Sequence, residues 1–570
     1  VVKGPLSALY GANAFLATVN IITRTPEAGL SSEASARVSQ QRRAGSFEGS
    51  ALLQVAGDDA SLIASAYFGH IDRSGLSLPR TFDAQKLNLP PELFARTTEG
   101  DLNDPIGVFA AARVKRGWLG QVVLEGGYQR TQSGAQFQLN SLFAPSVFAL
   151  DNFWAQLRWE REWTPTLSTA LSGGWSHGER GPAMRLLLAD TTGVSFTPNY
   201  RYQAWNGSVE ARWNPLSQLS LKLGGDLELD TQRVLYFTET FAAAVGSQKP
   251  GDQVDVSIGP DEPRDRRFTT FGVYLQAGAT PFESLLPDLK LTGNARVDLI
   301  TQGSVQFAPQ PSWRLAAVYG ITPDLAVRLS GGGAFQTPSG VLNFAYPGFG
   351  NVGNIVGNAT VPGGDPLRPQ RATTAELGVN ARFKEIFAVE ANLFYEVVQD
   401  RIEFVRQGSN YKAVNKGELD ALGVEATLRA VYGVLSAYAN VTAQRSIAGG
   451  VWLEQPPSGY PNLFGSVGAD VEVPRAWFRG HADVRWASER GASQANVLAN
   501  DDKPYTLPAY AVLNLAVSSL GLYPLSPKAE TRLTLGVSNL FDTRYVEAGY
   551  GGFDVPTRGR TVYFELRQFF

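Results

Sequence analysis

The feature that most narrows what this chain can fold into is a two-residue rhythm that sets in near residue 32 and runs to the last residue. In the final stretch Val562, Phe564 and Leu566 are apolar and the set ends on Phe570, while Glu565 and Arg567 fall on the other set. Phe153, Ala155, Leu157 and Trp159 alternate with Gln156, Arg158 and Glu160. Trp205, Val209, Ala211 and Trp213 alternate with Asn206, Ser208, Glu210 and Arg212. Leu377, Val379, Ala381 and Phe383 alternate with Glu376, Asn380 and Arg382, and Phe387 to Tyr395 repeat the pattern after a short turn. Successive side chains of a strand point to opposite faces, so each segment has one greasy face and one polar face. A chain that ends on Phe inside a strand predicts that its last strand pairs with its first, which removes both free edges.

The connections between these segments alternate in length. Short ones fall at 57–59, 117, 164–166, 215–217, 321–324, 384–386, 433 and 474–475, with 281–288 and 520–529 slightly longer. Between them lie 73–106, 132–150, 178–202, 232–266, 336–371, 447–462, 489–508 and 540–558. Strict alternation puts every long loop on one side of the sheet, as in outer-membrane barrels. Trp118, Trp163, Trp175, Trp213, Trp313 and Trp477 recur near segment ends, where a membrane–water interface holds such rings. A membrane-helix bundle is excluded, because no run approaches the ~20 apolar residues a spanning helix needs and mean hydropathy is −0.12. With no cysteine among 570 residues, disulfides hold nothing together. A net charge of −3 argues against a nucleic-acid partner. Strand pairing closed on itself satisfies every backbone group in lipid without helices or staples. A ring that large is not filled by its own side chains, so something must sit inside it or it is a pore. The chain starts without an initiator Met or a signal peptide, and the expectation is that it begins after processing or partway into a longer protein.

Residues 1–30 break the rhythm. Lys3-Gly4-Pro5 reads as a turn, Leu6 to Phe15 is rich in small residues, and Thr18 to Thr23 is a short β-branched strand. Val2, Lys3, Gly4, Pro5, Ser7, Leu9, Tyr10, Gly11, Ala14, Val19, Asn20, Ile21, Ile22 and Thr23 match, at fixed spacing, the C-terminal end of the plug domain of TonB-dependent outer-membrane receptors. Downstream, Phe335-Gln336-Thr337-Pro338, Leu367-Arg368-Pro369-Gln370 with Glu376 and Gly378, Asn415-Lys416-Gly417 with Gly423-Val424-Glu425, and Val537 to Tyr545 also resemble that family. The resemblance covers essentially the whole chain. With it in hand, ten short turns and eleven opposite connections divide 32–570 into about 22 strands, an even number as such barrels require. The fold class expected is an all-β transmembrane antiparallel barrel (31–570), with the C-terminal remnant of a plug (1–30) in its lumen.

The resemblance implies a set of sites. The family pairs the basic residue before Gly-Pro with lumen glutamates, so Lys3 is expected to latch onto Glu376, Glu425 or both. Lys lacks the bidentate fork of Arg, and the latch is looser for it. Neutral alternatives are kept: both glutamates face lumen water beside arginines. Phe344, Tyr346 and Phe349 in one long loop and Trp452 and Tyr460 in another are the candidate ligand contacts, against self-packing of the loops. Asp252, Asp255, Asp261, Glu262 and Asp265 form an acidic loop that binds calcium or is simply solvated. The three histidines have no metal spacing, and no catalytic set, resident metal or cofactor stands out. The implied function is active import across the bacterial outer membrane by a non-enzymatic, monomeric receptor in contact with lipopolysaccharide. Its cargo is a ferric siderophore, with cobalamin, haem, other metals, saccharides or peptides as alternatives, and a passive porin or a barrel enzyme as the competing classes. TonB with ExbB–ExbD is the implied partner. The TonB box and the first part of the plug do not appear in 1–570, and are expected to be either not included or on a separate chain.

Overall fold

A computed structural model describes the chain apart from residues 1, 4–6, 12–13, 16, 19–22, 80–90, 138–141, 188–193, 234–236, 242–246, 248, 256–264, 282–284, 345–354, 357–364, 408–409, 501–502 and 550–552. The alternating segments form a closed antiparallel barrel of 22 long strands. These are β1 (Gly29–Gln41), β2 (Ala44–Ala56), β3 (Ala60–Asp72), β4 (Ile106–Arg116), β5 (Gly120–Gly134), β6 (Val147–Thr164), β7 (Leu167–Arg180), β8 (Arg201–Leu216), β9 (Leu219–Arg233), β10 (Asp265–Ala279) and β11 (Leu289–Gln302). The second half comprises β12 (Gln310–Thr322), β13 (Leu325–Gln336), β14 (Gln370–Phe383), β15 (Phe387–Gln399), β16 (Glu418–Tyr432), β17 (Leu435–Ala448), β18 (Leu463–Val473), β19 (Phe478–Ala487), β20 (Tyr510–Ser519), β21 (Ala529–Ser538) and β22 (Thr561–Phe569). Each pairs with its sequence neighbours. β22 closes the ring on β1, with Glu33 opposite Phe569 and Gln40 opposite Val562. Phe570 completes the seam by exchanging backbone hydrogen bonds with Ser32 at 2.8 and 3.2 Å.

The greasy set faces out. Leu157, Trp205, Val209, Leu377, Leu393, Val517, Leu535 and Phe564 are all exposed to the outside of the protein. A soluble protein does not leave such a continuous apolar belt in water; in hydrocarbon it is the low-energy surface. Trp118, Trp163, Trp213 and Trp477 stand exposed at the short-turn end, in keeping with an interfacial girdle. The alternation of loop lengths is less strict than the sequence suggested. On the long-loop side β1 and β2 join through 42–43 alone, and β11 and β12 through 303–309. Both are hairpins whose strands extend far enough to meet directly.

The N-terminal segment is not a stave. Among the described residues its two short strands, Val2–Lys3 and Ala17–Thr18, pair only with each other, around a one-turn helix α1 (Ser7–Tyr10). Val19 to Ile22 lie outside the described residues.

Candidate functional site

The polar set faces the lumen, and one sector of it is buried because the N-terminal segment sits on it. Helix α1 packs on β11, β12 and β13. Ser7, Ala8, Gly11, Ala14 and Phe15 are all buried there. The Gly11 N–H donates to Ser7 O at 2.9 Å and closes the turn. The Ser7 hydroxyl lies 3.4 Å from both Ala14 O and Phe335 O, so one donor tethers the segment to itself and to the wall. Phe15 fills a dry contact with Ala334, Ala372 and Val398. Gly11 has φ +77°, and a Cβ there would lie 3.0 Å from the Arg296 guanidinium. The glycine is needed twice, for the left-handed turn and for the approach to the wall.

Arg296 is the centre of the wall's strongest charge network. It is 4% exposed and its partner Asp298 is 0% exposed. Its Nη1 and Nη2 donate to Asp226 at 2.6 and 2.7 Å, and its Nε and Nη2 to Asp298 at 2.9 and 2.6 Å. Asp226, Gly272 and Asp298 occupy one register row across β9, β10 and β11. The arginine crosses β10 exactly where that strand has no side chain: a Cβ on Gly272 would lie 1.9 Å from Arg296 Nη2. Bidentate geometry on two carboxylates is what makes a buried guanidinium tolerable. The sequence reading missed this network. Its only local sign is the inward pair Arg296 and Asp298 two residues apart; the partner on β9 is set by register.

Of the expected latch, Glu376 is buried on the lumen side of β14. It accepts from Ser330 at 3.0 Å, with Arg328 and Arg314 at 3.6 and 3.8 Å. Glu425 lies two staves on, opposite Asn392 of β15. The Lys3 backbone is in the segment beside this sector, and its side chain lies outside the described residues. Glu376 thus has barrel cations of its own, and the Lys3 contact stays an expectation.

The long-loop residues separate into three groups. Phe344, expected to meet ligand, is instead 4% exposed in helix α2 (Gly340–Phe344). It packs with Phe268, Ile300, Val305, Phe307 and Phe335, because burying such a ring is worth about 2–3 kcal/mol. In this structure its ring anchors helix α2 to the wall. Tyr346 and Phe349 lie outside the described residues. Trp452 and Tyr460 do stand exposed on 449–462, with Arg445 over the Trp452 ring at 5.4 Å. Of the acidic loop, two members are described with their partners. Asp252 accepts from Lys249 N in a turn at 2.7 Å, Asp265 pairs with Arg233 at 2.9 Å, and Asp261, Glu262 and the Asp255 side chain lie outside the described residues. No group of three metal-ligating side chains occurs among the described residues.

A second loop structure was not foreseen. In 488–509, helix α3 (Gln494–Ala499) is capped by Ser493, whose Oγ accepts from Asn496 N at 3.2 Å and donates to Gly549 O across the gap to 539–560. Asp554, fully buried, accepts from Asn496 Nδ2 at 3.1 Å and from the Tyr505 hydroxyl at 3.0 Å. Burial and that carboxylate push the Tyr505 phenol far up from its ordinary value, so it stays a donor at every physiological pH. Phe553 beside it packs with Leu78 and Phe143, drawing in two more loops. Asp554→Ala strands two buried donors at about 1–3 kcal/mol each. Hydrogen exchange in 488–509 and 539–560 is expected to rise by about thirty-fold or more, with exchange in β1–β22 unchanged.

A barrel of this strand number, long loops at one end and a folded segment seated in its lumen now stand together. A family model described as TonB dependent receptor-like, beta-barrel, matches residues 92–540. This chain belongs to the TonB-dependent receptor family. As such a receptor it lies in the outer membrane, long loops outward, and its family consists of receptors and transporters rather than enzymes. No curated protein sequence matches it. Among solved structures, the ferric yersiniabactin uptake receptor FyuA from Yersinia pestis is similar at 15% identity and TM-score 0.73, over 100% of this chain and 84% of that one. The ferric-catecholate import receptor Fiu from E. coli K12 is similar at 15% and 0.69, over 100% and 86%. The copper transporter OprC is similar at 15% and 0.72, over 100% and 85%. At these identities the likeness is one of fold.

Proposed function

We propose that this TonB-dependent receptor actively imports a ferric siderophore. The long extracellular loops capture the solute. Force transmitted by TonB with ExbB–ExbD then shifts the N-terminal segment, residues 1–30 acting as part of a plug, and opens a path along the lumen. The observation that carries this reading is the seat itself: among the described residues the folded segment meets the lumen wall through the Ser7 hydroxyl, the close approach of Gly11 to Arg296 and the Phe15 patch, contacts that can part without opening the barrel. The iron–chelate cargo is supported by similar folds described as ferric-siderophore receptors. The exposed rings of Trp452 and Tyr460 suit a flat, partly apolar chelate.

Uptake of radioactive iron from a panel of siderophores, in cells with and without TonB, tests the reading. TonB-dependent uptake of at least one chelate is expected. Uptake of copper or cobalamin with no iron transport would overturn the cargo, and a large constant conductance in planar bilayers would overturn the importer.

The latch belongs to the same proposal, with Lys3 reaching Glu376 or Glu425. Lys3→Ala and Glu425→Gln are each expected to lower the urea concentration at which the segment detaches, while the barrel's own transition stays put. Detachment unchanged in both variants would remove the latch and leave the seat.

A further inference from the structure

The connections on either side of the β22–β1 closure enclose a pocket at the long-loop end. It has a volume of about 230 Å³ and is drawn from 41–42, 75–79, Pro508, 544–546 and 556–559. Its walls are fixed before any solute arrives. Pro79, Pro508 and Pro556 line it, each with φ locked by its ring. Tyr545 is stacked on Tyr510, the ring centroids 3.9 Å apart, and the Thr557 hydroxyl donates to Tyr545 O at 2.8 Å. Gln41, 1% exposed, accepts from Arg558 Nε at 2.6 Å. These polar groups are spent on one another.

Two guanidinium groups in the lining are not. Arg544 is exposed and forms no hydrogen bond or ion pair among the described residues. Arg42 donates once, to Gly75 O at 3.0 Å, which ties it to another lining residue and leaves its other donors open. No aspartate or glutamate lines the pocket. The acids nearest in the chain are turned to other groups. Asp72 accepts from Ser74 N at 2.8 Å, Asp542 accepts from Arg560 N at 2.8 Å, and Glu547 lies 3.9 Å from Arg490. Arg42 also sits at φ +51° in a two-residue hairpin turn, a conformation that glycine or asparagine fills at lower cost. A strained arginine with open donors, in a pocket without acids, points to an anionic occupant.

We propose that this pocket holds a free carboxylate arm of the imported chelate, gripped by Arg42 and Arg544. The inference rests on the import reading and narrows its cargo to chelates that carry a carboxylate outside the iron centre. Size selects an arm, because whole-ligand sites run to roughly 300–1,000 Å³ and this pocket is smaller. Chemistry selects the carboxylate. Oxygens that bind iron are turned to the metal, so a pocket set apart from the iron reads a group that the metal has left free. The planar fork of arginine matches a planar carboxylate with two parallel hydrogen bonds.

The test uses the purified full chain in mild detergent with glutarate as the probe, its binding followed by saturation-transfer NMR. Wild type is compared with the Arg42→Gln/Arg544→Gln double variant and with Arg43→Gln. Arg43 is exposed on the same turn and does not line the pocket, so its variant removes a charge and leaves the pocket intact. Glutarate is expected to bind wild type and Arg43→Gln alike, and the double variant at least ten-fold more weakly, with heat-resistant mobility of the folded barrel unchanged in all three. Equal binding in the double variant, or an equal loss in Arg43→Gln, overturns the proposal. Inorganic phosphate binding as tightly as glutarate overturns the carboxylate class. Radioactive iron uptake in cells is measured alongside, and the double variant is expected to lose uptake of carboxylate-bearing chelates several-fold; unchanged uptake of those chelates overturns the narrowing of the cargo. Glutarate binding with no TonB-dependent iron uptake from any chelate overturns the import reading, and the chelate with it, while the carboxylate site stands.

Discussion

Valine at position 272 is expected to break the barrel wall at its most heavily charged point. Its Cβ would fall 1.9 Å from Arg296 Nη2 and 2.7 Å from Asp298 Oδ1, so the guanidinium must leave the row it shares with Asp226. Separating a buried, hydrogen-bonded ion pair costs about 3–5 kcal/mol. The midpoint of urea unfolding in lipid vesicles, followed by tryptophan fluorescence, reads that loss. Arg296→Ala should cost a similar amount, because it leaves Asp298 buried without its cation. The double variant should cost little more than either single one, since both changes remove the same interaction. Strictly additive losses would show that Gly272 and Arg296 act separately and would remove the account of this glycine.

Gly11→Val should unseat the N-terminal segment and leave the wall intact. A β-branched residue at φ +77° is strained by about 1–3 kcal/mol, and its Cβ also crowds the Arg296 guanidinium at 3.0 Å. Among the described residues, the segment's other contacts with the wall are those of Ser7 and Phe15. The expected readouts are segment release at lower urea and a several-fold rise in conductance across planar bilayers. Gly29→Val is the control: φ is +102° there and nothing lies within 4 Å, so it carries the backbone strain without the seat. A closed channel in Gly11→Val, or an equally open one in Gly29→Val, would sink the role assigned to Gly11.

The two variants also mark how far the sequence alone reaches. The spacing Gly4-Pro5, Ser7, Gly11 identifies the segment and its kind, but the sequence says nothing of Arg296 as the group it meets. Phe344 shows the opposite failure. A phenylalanine in a glycine-rich loop reads as a ligand contact, and became an anchor because Phe268, Ile300 and Phe335, far apart in the chain, converge beneath it. Glu376 was legible as an inward carboxylate, yet its neighbours Arg314 and Arg328 were not. Asp554, locked to Asn496 and Tyr505 in another loop, left no local sign at all.

The sequence by itself determined the strands, the face each turns to the lipid, the end at which the long loops gather and the closure of Phe570 onto the first strand. All of these follow from a period of two and from turn length, which are properties of neighbouring residues. Only the tertiary structure decided which lumen charges meet and where the N-terminal segment sits. Those depend on register between staves many residues apart, where Asp226 faces Arg296 across 70 positions and a single glycine between them sets the clearance.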